Sequence, residues 1–514
     1  IGAVEGPEPP ARALGLASVA ALVLLAVRRP RRSPERGGPR RAPIRRALAL
    51  APAVGAALLA GAANGATFVV DTTLDGVDLV PGDGACAATA GCTLRAAVQE
   101  ANALPGADTI LLDAGVYALT RPGAGENLGA TGDLDVSEAL SIRGVADTAS
   151  IIDGGALDRV LDLRAETLAL EDLTVRNGQI SGENGAGIRT GTLSAGLSVL
   201  RSRITGNHAV GASLTNDAGG GIYAECAVTL TLSAVSGNTA REAGGVAFLF
   251  GGMVEDSTFS GNGAEVAGGG FTAGYGSSVT VERSTISGNT VGEEGNGSAF
   301  VGWRPIRLIN STVSGNSGGL GLLGGGGVIR LSDAELRLEN STVFSNDSKS
   351  GIRRLNGTVR LINSIVWNEI GAGYDECQGT GTVTSEGYNI DSDGTCVGAG
   401  PGDQSGVDPL LGALADNGGP TRTHLPRPES PAIDHGGAGI LGCTDLDGAP
   451  VTEDQRGQPR PVDGNGDTLP KCDIGSVEYA PEPAGIPLAV ASFAMLRLVA
   501  ARRRRPLGGS RRRS

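Results

Sequence analysis

A six-residue phrase returns along the middle of this chain, and its period constrains the fold more than any other feature. It reads SRITGN (202–207), SAVSGN (233–238), STFSGN (257–262), STISGN (284–289), STVSGN (311–316) and STVFSN (341–346), with weaker copies ending at Asn177 and Asn368. The closing asparagines lie 22 to 31 residues apart. A repeat of that length is one stacked unit of a solenoid, too small to bury an apolar face alone. Within a unit the apolar residues alternate with polar ones, as at Val279, Val281 and Ile286. A period of two is strand logic, and no repeat carries the i, i+3, i+4 stripe of a helix. The pattern predicts an all-β chain wound as a right-handed parallel β-helix of about three strands per turn, rising about 4.8 Å per coil. Ile204, Val235, Phe259, Ile286, Val313 and Val343 should then stack as one internal column.

The asparagines at 207, 238, 262, 289, 316 and 346 are expected to form a structural ladder. Stacked amides hydrogen-bond along a solenoid axis, and Asn tolerates the left-handed corner that a preceding Gly accepts more readily. Asn207, Asn238, Asn262, Asn289, Asn316 and Asn346 are therefore read as scaffold, not as a ligand-binding row.

The flanks divide the rest. Residues 45–66, RRALALAPAVGAALLAGAANGA, follow the order of a secretory signal: charged start, apolar run, small-residue cleavage zone. Cleavage near Ala63–Ala66 would leave a mature chain opening TFVVDTTLDG. Residues 67–140 are read as an N-terminal cap with a short helix, in which Leu94, Ala97, Val98 and Ala101 mark one face and Pro105-Gly106 ends it. Residues 141–400 hold the repeats, 401–480 a C-terminal region, and 481–514 a tail. In an oxidising compartment the cysteines are disulfide candidates, paired by proximity as Cys86–Cys92, Cys377–Cys396 and Cys443–Cys472, with Cys226 left over. The net charge of −13 hides two basic ends; residues 51–483 hold 24 basic and 52 acidic side chains, a net of −28. A body that acidic repels nucleic acid.

Several segments resemble known families. CTLRAAVQEANALPGADTILLDAGVYALT (92–120) resembles the CSLREA motif found ahead of β-helices in secreted bacterial proteins, with Thr93 and Ala96 replacing its Ser and Glu. Ala96 loses the return bond of a capping box while Thr93 can still cap. FSGNGAEVAGGGF (259–271) is similar to repeats of chlamydial polymorphic outer-membrane proteins, which are β-helical adhesins. SPAIDHG (430–436) and DIGSVEY (473–479) look like blocks of the choice-of-anchor Q family, an extracellular domain on varied anchors with no agreed catalytic residues. Pro481, Glu482 and Pro483, an apolar run and then Arg502, Arg503, Arg504 and Arg505 resemble the PEP-CTERM sorting signal of Gram-negative bacteria, which implies an exosortase-like partner. Residues 6–32 repeat that three-part plan, so residues 1–26 are expected to be read in frame from an upstream gene, with translation starting near Val27 and 1–44 serving as a basic leader at most.

No residue set stands out as catalytic. His208, His424 and His435 lie in unrelated contexts, and only 3% of residues are aromatic, few for a sugar-stacking groove. Glu255-Asp256, Glu282 and Glu339 precede the repeated serine on different coils and are weighed as an acidic strip. Asp463, Asn465 and Asp467 alternate like a calcium loop, but Thr468 stands where such a loop has glycine and Ile474 where it ends in glutamate. Ca²⁺ is thus the one cofactor considered. The expectation is a monomeric, exported, surface-anchored β-helix that binds an extracellular glycan or surface partner, or serves as structure. The alternative is a polysaccharide lyase or glycoside hydrolase on the same scaffold. Convergent acids beside an Arg or Lys, with aromatics at the rim, would favour the enzyme.

Overall fold

A computed structural model describes residues 65–481, apart from 192–193, 212–216, 275, 320–325, 369–373, 399 and 438–442. The basic leader (1–44), the signal sequence up to residue 64, and the sorting residues Glu482, Pro483 and Arg502 to Arg505 lie outside the described residues. The chain is a parallel β-solenoid. One coil runs Ile222–Ala224, Val228–Thr231, Ala234–Ser236 and Thr239–Glu242, giving four short strands where three were expected. The extra strand comes from the glycine-rich entry of each repeat. Stacking turns these positions into four columns, numbered here first to fourth in that order. The first two fuse at the long strands Ile352–Ile362 and Cys377–Gly387 and so form one 20-stranded sheet; the third column has 12 strands and the fourth six.

Inside, the predicted apolar column runs in register Ile204, Val235, Phe259, Ile286, Val313, Val343, each at most 1% exposed. A second stack fills the wider side, where the Phe271 and Phe300 rings lie 4.8 Å apart and Phe248 meets Phe271 edge-on at 5.7 Å.

The asparagines form a ladder beside this core. Each Nδ2 donates to the Oδ1 of the next coil: Asn207 to Asn238 at 2.9 Å, Asn238 to Asn262 at 3.0 Å, Asn262 to Asn289, Asn289 to Asn316 and Asn316 to Asn346 at 2.9 Å, and Asn346 to Asn368 at 2.8 Å. The left-handed corner falls one residue earlier than expected. Gly206, Gly237, Gly261, Gly288 and Gly315 take φ of 62–65°, which frees each Asn to aim its amide along the axis. Asn177 is not a member; its amide bonds Asp153, and Gly178 N–H donates to Asn207 Oδ1. The other end stops on Glu376, fully buried, whose carboxylate accepts from both Asn368 N–H and Asn368 Nδ2. Burial pushes the Glu376 pKa up to about 7.

The serine that opens each phrase makes a second ladder that the sequence reading missed. Ser202, Ser233, Ser257, Ser284 and Ser311 each donate their backbone N–H to the serine Oγ of the next coil at 3.0–3.2 Å. This ladder continues through Ser341 and Ser364 to Asn389, which donates to Asp403. Both ladders therefore end on a carboxylate, an acceptor with no donor of its own when ionised.

The amino-terminal coil is closed by helix α1, Leu94–Ala103, the sole α-helix among the described residues. Thr93 Oγ1 accepts from Ala96 N–H and caps it. Leu94, Ala97, Val98 and Ala101 join the core of the first strands. Arg95 and Glu100 are buried for structural reasons: Arg95 pairs with Asp75 at 2.6 Å and donates to the Gly129, Gly132 and Asp133 carbonyls, and Glu100 accepts from Gly82 and Gly84.

The described residues of 408–481 leave the solenoid and lie along the outside of the third column, with Asp445 and Asp447 reaching Arg307 and Arg337 of the second. The contacts with the third column fall on outward polar groups of the repeat phrase. Arg422 O accepts from Thr285 Oγ1 at 2.6 Å, Gln455 Oε1 from Thr312 Oγ1 at 2.6 Å, and His424 Nε2 meets Ser314 Oγ at 2.8 Å. Ser476 N–H donates to Thr342 Oγ1. That face is thereby covered from the Thr285 coil to the Thr342 coil. Cys86–Cys92, Cys377–Cys396 and Cys443–Cys472 are bonded, with Cα separations of 5.1, 5.0 and 5.3 Å, and Cys226 is a buried free thiol.

Candidate functional site

The sites weighed from sequence do not assemble. Glu255 and Glu282 are register partners, but Ile309 interrupts the strip before Glu339. Arg283 bridges Glu255, Asp256 and Glu282, and Arg307 and Arg337 bridge Glu339. The acidic strip is a neutralised face. Asp463 accepts from Gly466 and Thr468 N–H, Asn465 from Asp467 N–H and Asp467 from Leu469 N–H, so these oxygens close local turns in an exposed loop. The histidines are scattered: His424, in the C-terminal region, meets Ser314 Oγ of the solenoid, His435 bonds Ile433 O, and His208 meets Thr239 Oγ1. The SPAID and DIG…E blocks brace that region internally. Asp434 accepts from Gly464 and Asn465, Asp473 from Asp434 N–H, and Glu478 pairs with the buried Arg460 at 3.1 Å. Burial and then the Glu478 charge push Asp473 up to about 8.

The surface that gathers chemistry is the outward face of the first column. Its middle residues are in register from coil to coil: Asp135, Asp162, Arg189, Tyr223, Ala247, Thr272, Val301, Arg330, Arg353. A column of glycines forms one wall. A Cβ on Gly268 would lie 2.4 Å from Thr272 Cγ2, one on Gly297 2.6 Å from Val301 Cγ2, and one on Gly327 2.7 Å from Arg353 Cβ. These glycines let backbone close over the floor, a close approach no other residue permits.

Two adjoining cavities open along this floor. One, of 430 Å³, includes Asp162, Arg164, Arg189 and Tyr223; the other, of 380 Å³, includes Tyr223, Ala247, Thr272 and Trp303. Asn184 and Tyr223 line both, so the two form one cleft. Tyr223 and Trp303 supply aromatic surface where the composition as a whole is poor in it.

At the amino-terminal end, carboxylate oxygens of Asp133, Asp135 and Asp162 lie within 4.8 Å of one another, all three side chains buried. Arginines surround them. Arg159 pairs with Asp133 at 3.0 Å, Arg164 with Asp162 at 3.1 Å, and Arg189 with Asp162 through Nε at 2.9 Å and Nη2 at 2.5 Å. Asp135 Oδ2 accepts from Gly129 N–H, while its Oδ1 has no hydrogen-bond donor among the described residues and lies 3.7 Å from Arg164. Burial raises Asp133 to about 7, a rise opposed by Arg159, and raises Asp135 to about 6. The same pairing lifts Arg189 above the ordinary arginine value, chiefly through its bonds to Asp162. These are the oxygens that could hold a divalent cation.

None of the floor residues was singled out from sequence. The signal was present in the triplets after the glycines, IRT (188–190), IYA (222–224), VAF (246–248), FTA (271–273) and IRL (329–331), whose middle residue faces out.

No curated protein matches the chain. Among solved structures it is similar in fold to the pectate lyase Pel9A, at 13% identity and a TM-score of 0.44, covering 82% of this chain and 98% of that one. It also aligns with a mutant of the PL6-family alginate lyase AlyGC, at 13% identity and a TM-score of 0.30, over 71% of this chain and 57% of the other. Residues 212–333 match the family model described as a right handed beta helix region, so the stacked coils at the centre of this chain are a right-handed β-helix.

Proposed function

We propose that this chain is an exported, surface-anchored β-helix that binds an extended glycan along the first-column cleft, as a binding module and not as an enzyme. The observation that carries the reading is the continuity of the cleft: two cavities share Tyr223, with Trp303 further along, on a straight face of stacked strands. From Asp162 to Trp303 the two cavities span five coil steps, about 24 Å at the inter-strand spacing, which suits a polymer over a small molecule. Three disulfides support an extracellular location. Membership of the choice-of-anchor Q family, the CSLREA-like cap, and a PEP-CTERM-like tail processed by an exosortase belong to the same proposal. They rest on the sequence blocks quoted above; among the described residues no helix is long and apolar enough to cross a membrane.

A lyase is the second reading, favoured by the convergence of Asp133, Asp135 and Asp162 beside three arginines. Against it stands their pairing. Arg189 is committed to Asp162 by two hydrogen bonds and is more basic than usual, so it does not accept a proton from substrate. A glycan array run beside a depolymerisation assay separates the two. The binding reading expects retention of a polymer, lost in Tyr223→Ala and Trp303→Ala, without product release. Unsaturated sugar release that is sensitive to chelator and abolished by Asp162→Asn would establish the lyase.

A further inference from the structure

Past Val301, which is fully buried and ends the cleft, the first column continues to Arg330 and Arg353, register partners on successive coils. Both side chains are half-buried, and the Nε–H of each is buried with no acceptor among the described residues. A second arginine stack next door is neutralised by carboxylates. Arg307, Arg337 and Arg360 are also register partners, on the second column. Each has a carboxylate: Glu339 and Asp445 for Arg307, Glu339 for Arg337, Glu386 for Arg360. Arg330 and Arg353 pair with no carboxylate among the described residues, and burial together with the Arg353 charge holds Arg330 below the ordinary arginine value. Stacked like charges with orphaned, partly desolvated donors are costly to keep, and an anion would satisfy both faults.

We propose that Arg330 and Arg353 form an anion subsite, on the same column but beyond the cleft, for the acidic groups, carboxylate or sulfate, of consecutive sugars in an acidic polysaccharide. This deepens the glycan-binding reading and rests on it. Successive coils rise about 4.8 Å, close to the length of one hexose in an extended chain, so each guanidinium meets one sugar. The planar fork of arginine matches such oxyanions bidentately. The net charge of −28 over residues 51–483 opposes any polyanion, so binding here depends on the local positive charge of the two guanidinium groups.

The test is titration of the full chain with polygalacturonate, dextran sulfate and neutral galactan. Variants are Arg330→Gln, Arg353→Gln, the double change, and Arg360→Gln as a charge control, with folding followed by circular dichroism. The expected result is at least about a tenfold loss of affinity for an acidic polymer in the double variant, with Arg360→Gln unchanged. Preference for the sulfated over the carboxylated polymer would assign the anion as sulfate within the same subsite. Equal binding of acidic and neutral polymers by the native chain, or undiminished acidic binding by the folded double variant, would overturn it. Protection of both arginines from phenylglyoxal by galacturonate oligomers, with Tyr223→Ala and Trp303→Ala without effect, would keep the subsite and remove the longer cleft.

Discussion

Replacing Asn289 by leucine probes the ladder at its middle. Asn289 Nδ2 donates to Asn316 Oδ1 at 2.9 Å and to Phe259 O at 3.1 Å, and its Oδ1 accepts from Asn262 N–H at 3.0 Å and Asn262 Nδ2 at 2.9 Å. Leucine is similar in size and keeps none of the four. Asn262 Nδ2 retains Val235 O, and Asn316 Oδ1 retains the backbone N–H of residue 289. Asn262 N–H is left without a partner in a fully buried position. An orphaned buried donor costs about 1–3 kcal/mol, and each of the three other lost bonds roughly 0.5–1.5 kcal/mol, partly offset by the apolar gain of leucine. The net expectation is about 3 kcal/mol. Urea unfolding followed by far-UV circular dichroism measures it, with hydrogen exchange of the 262 and 289 amides as a local readout, since repeat arrays need not unfold in one step. A cost below about 1 kcal/mol with unchanged exchange would refute the claim that the amides carry the corner.

Three further outcomes follow from the same geometry. Burial raises Glu376 and Asp133 to about 7, Asp135 to about 6 and Asp473 to about 8, so the folded chain holds these protons more tightly than the unfolded one. Their stabilisation is full below the unfolded values near 4 and lost as pH rises through 6 to 8, so thermal unfolding should come later at about pH 5 than at about pH 8, and Glu376→Gln should flatten part of that slope. Gly245→Ala should cost about 1–3 kcal/mol in chemical denaturation, because the new Cβ would meet Gly270 O at 2.2 Å on the next coil. Replacing Cys377 and Cys396 together by alanine, which opens a 19-residue loop, should cost about 3 kcal/mol in the same assay.

The repeat phrase disclosed the solenoid because every member of it does one physical job: Ser and Asn bond along the axis, the apolar residue between them fills the core, and Gly takes the left-handed corner. Core register could be read from that alone, but not the coils before the Asn177 copy or after the Asn368 copy. The fourth strand per coil could not, since three residues such as FTA at 271–273 are too few to show a period. The cleft stayed hidden for a related reason. Its residues, Asp162, Arg189, Tyr223 and Arg330 among them, share no residue type and are joined only by register. The acidic strip misled because sequence shows the acids on adjacent coils but not that Arg283 and Arg307 lie between them. The role of residues 408–481 was likewise unreadable, because a chain folding back pairs positions more than a hundred residues apart, such as Ser314 and His424.

Hydroxyl-radical footprinting of the full chain, with and without a glycan that an array selects, tests the central claim most directly. Trp303, at 38% exposure, and Tyr223 should lose oxidation when the polymer is bound, while Leu79 and Leu469, more exposed at 63% and 61% and away from the cleft, should not change. Protection of Leu469 with Tyr223 and Trp303 unaltered would place the ligand elsewhere and contradict the account.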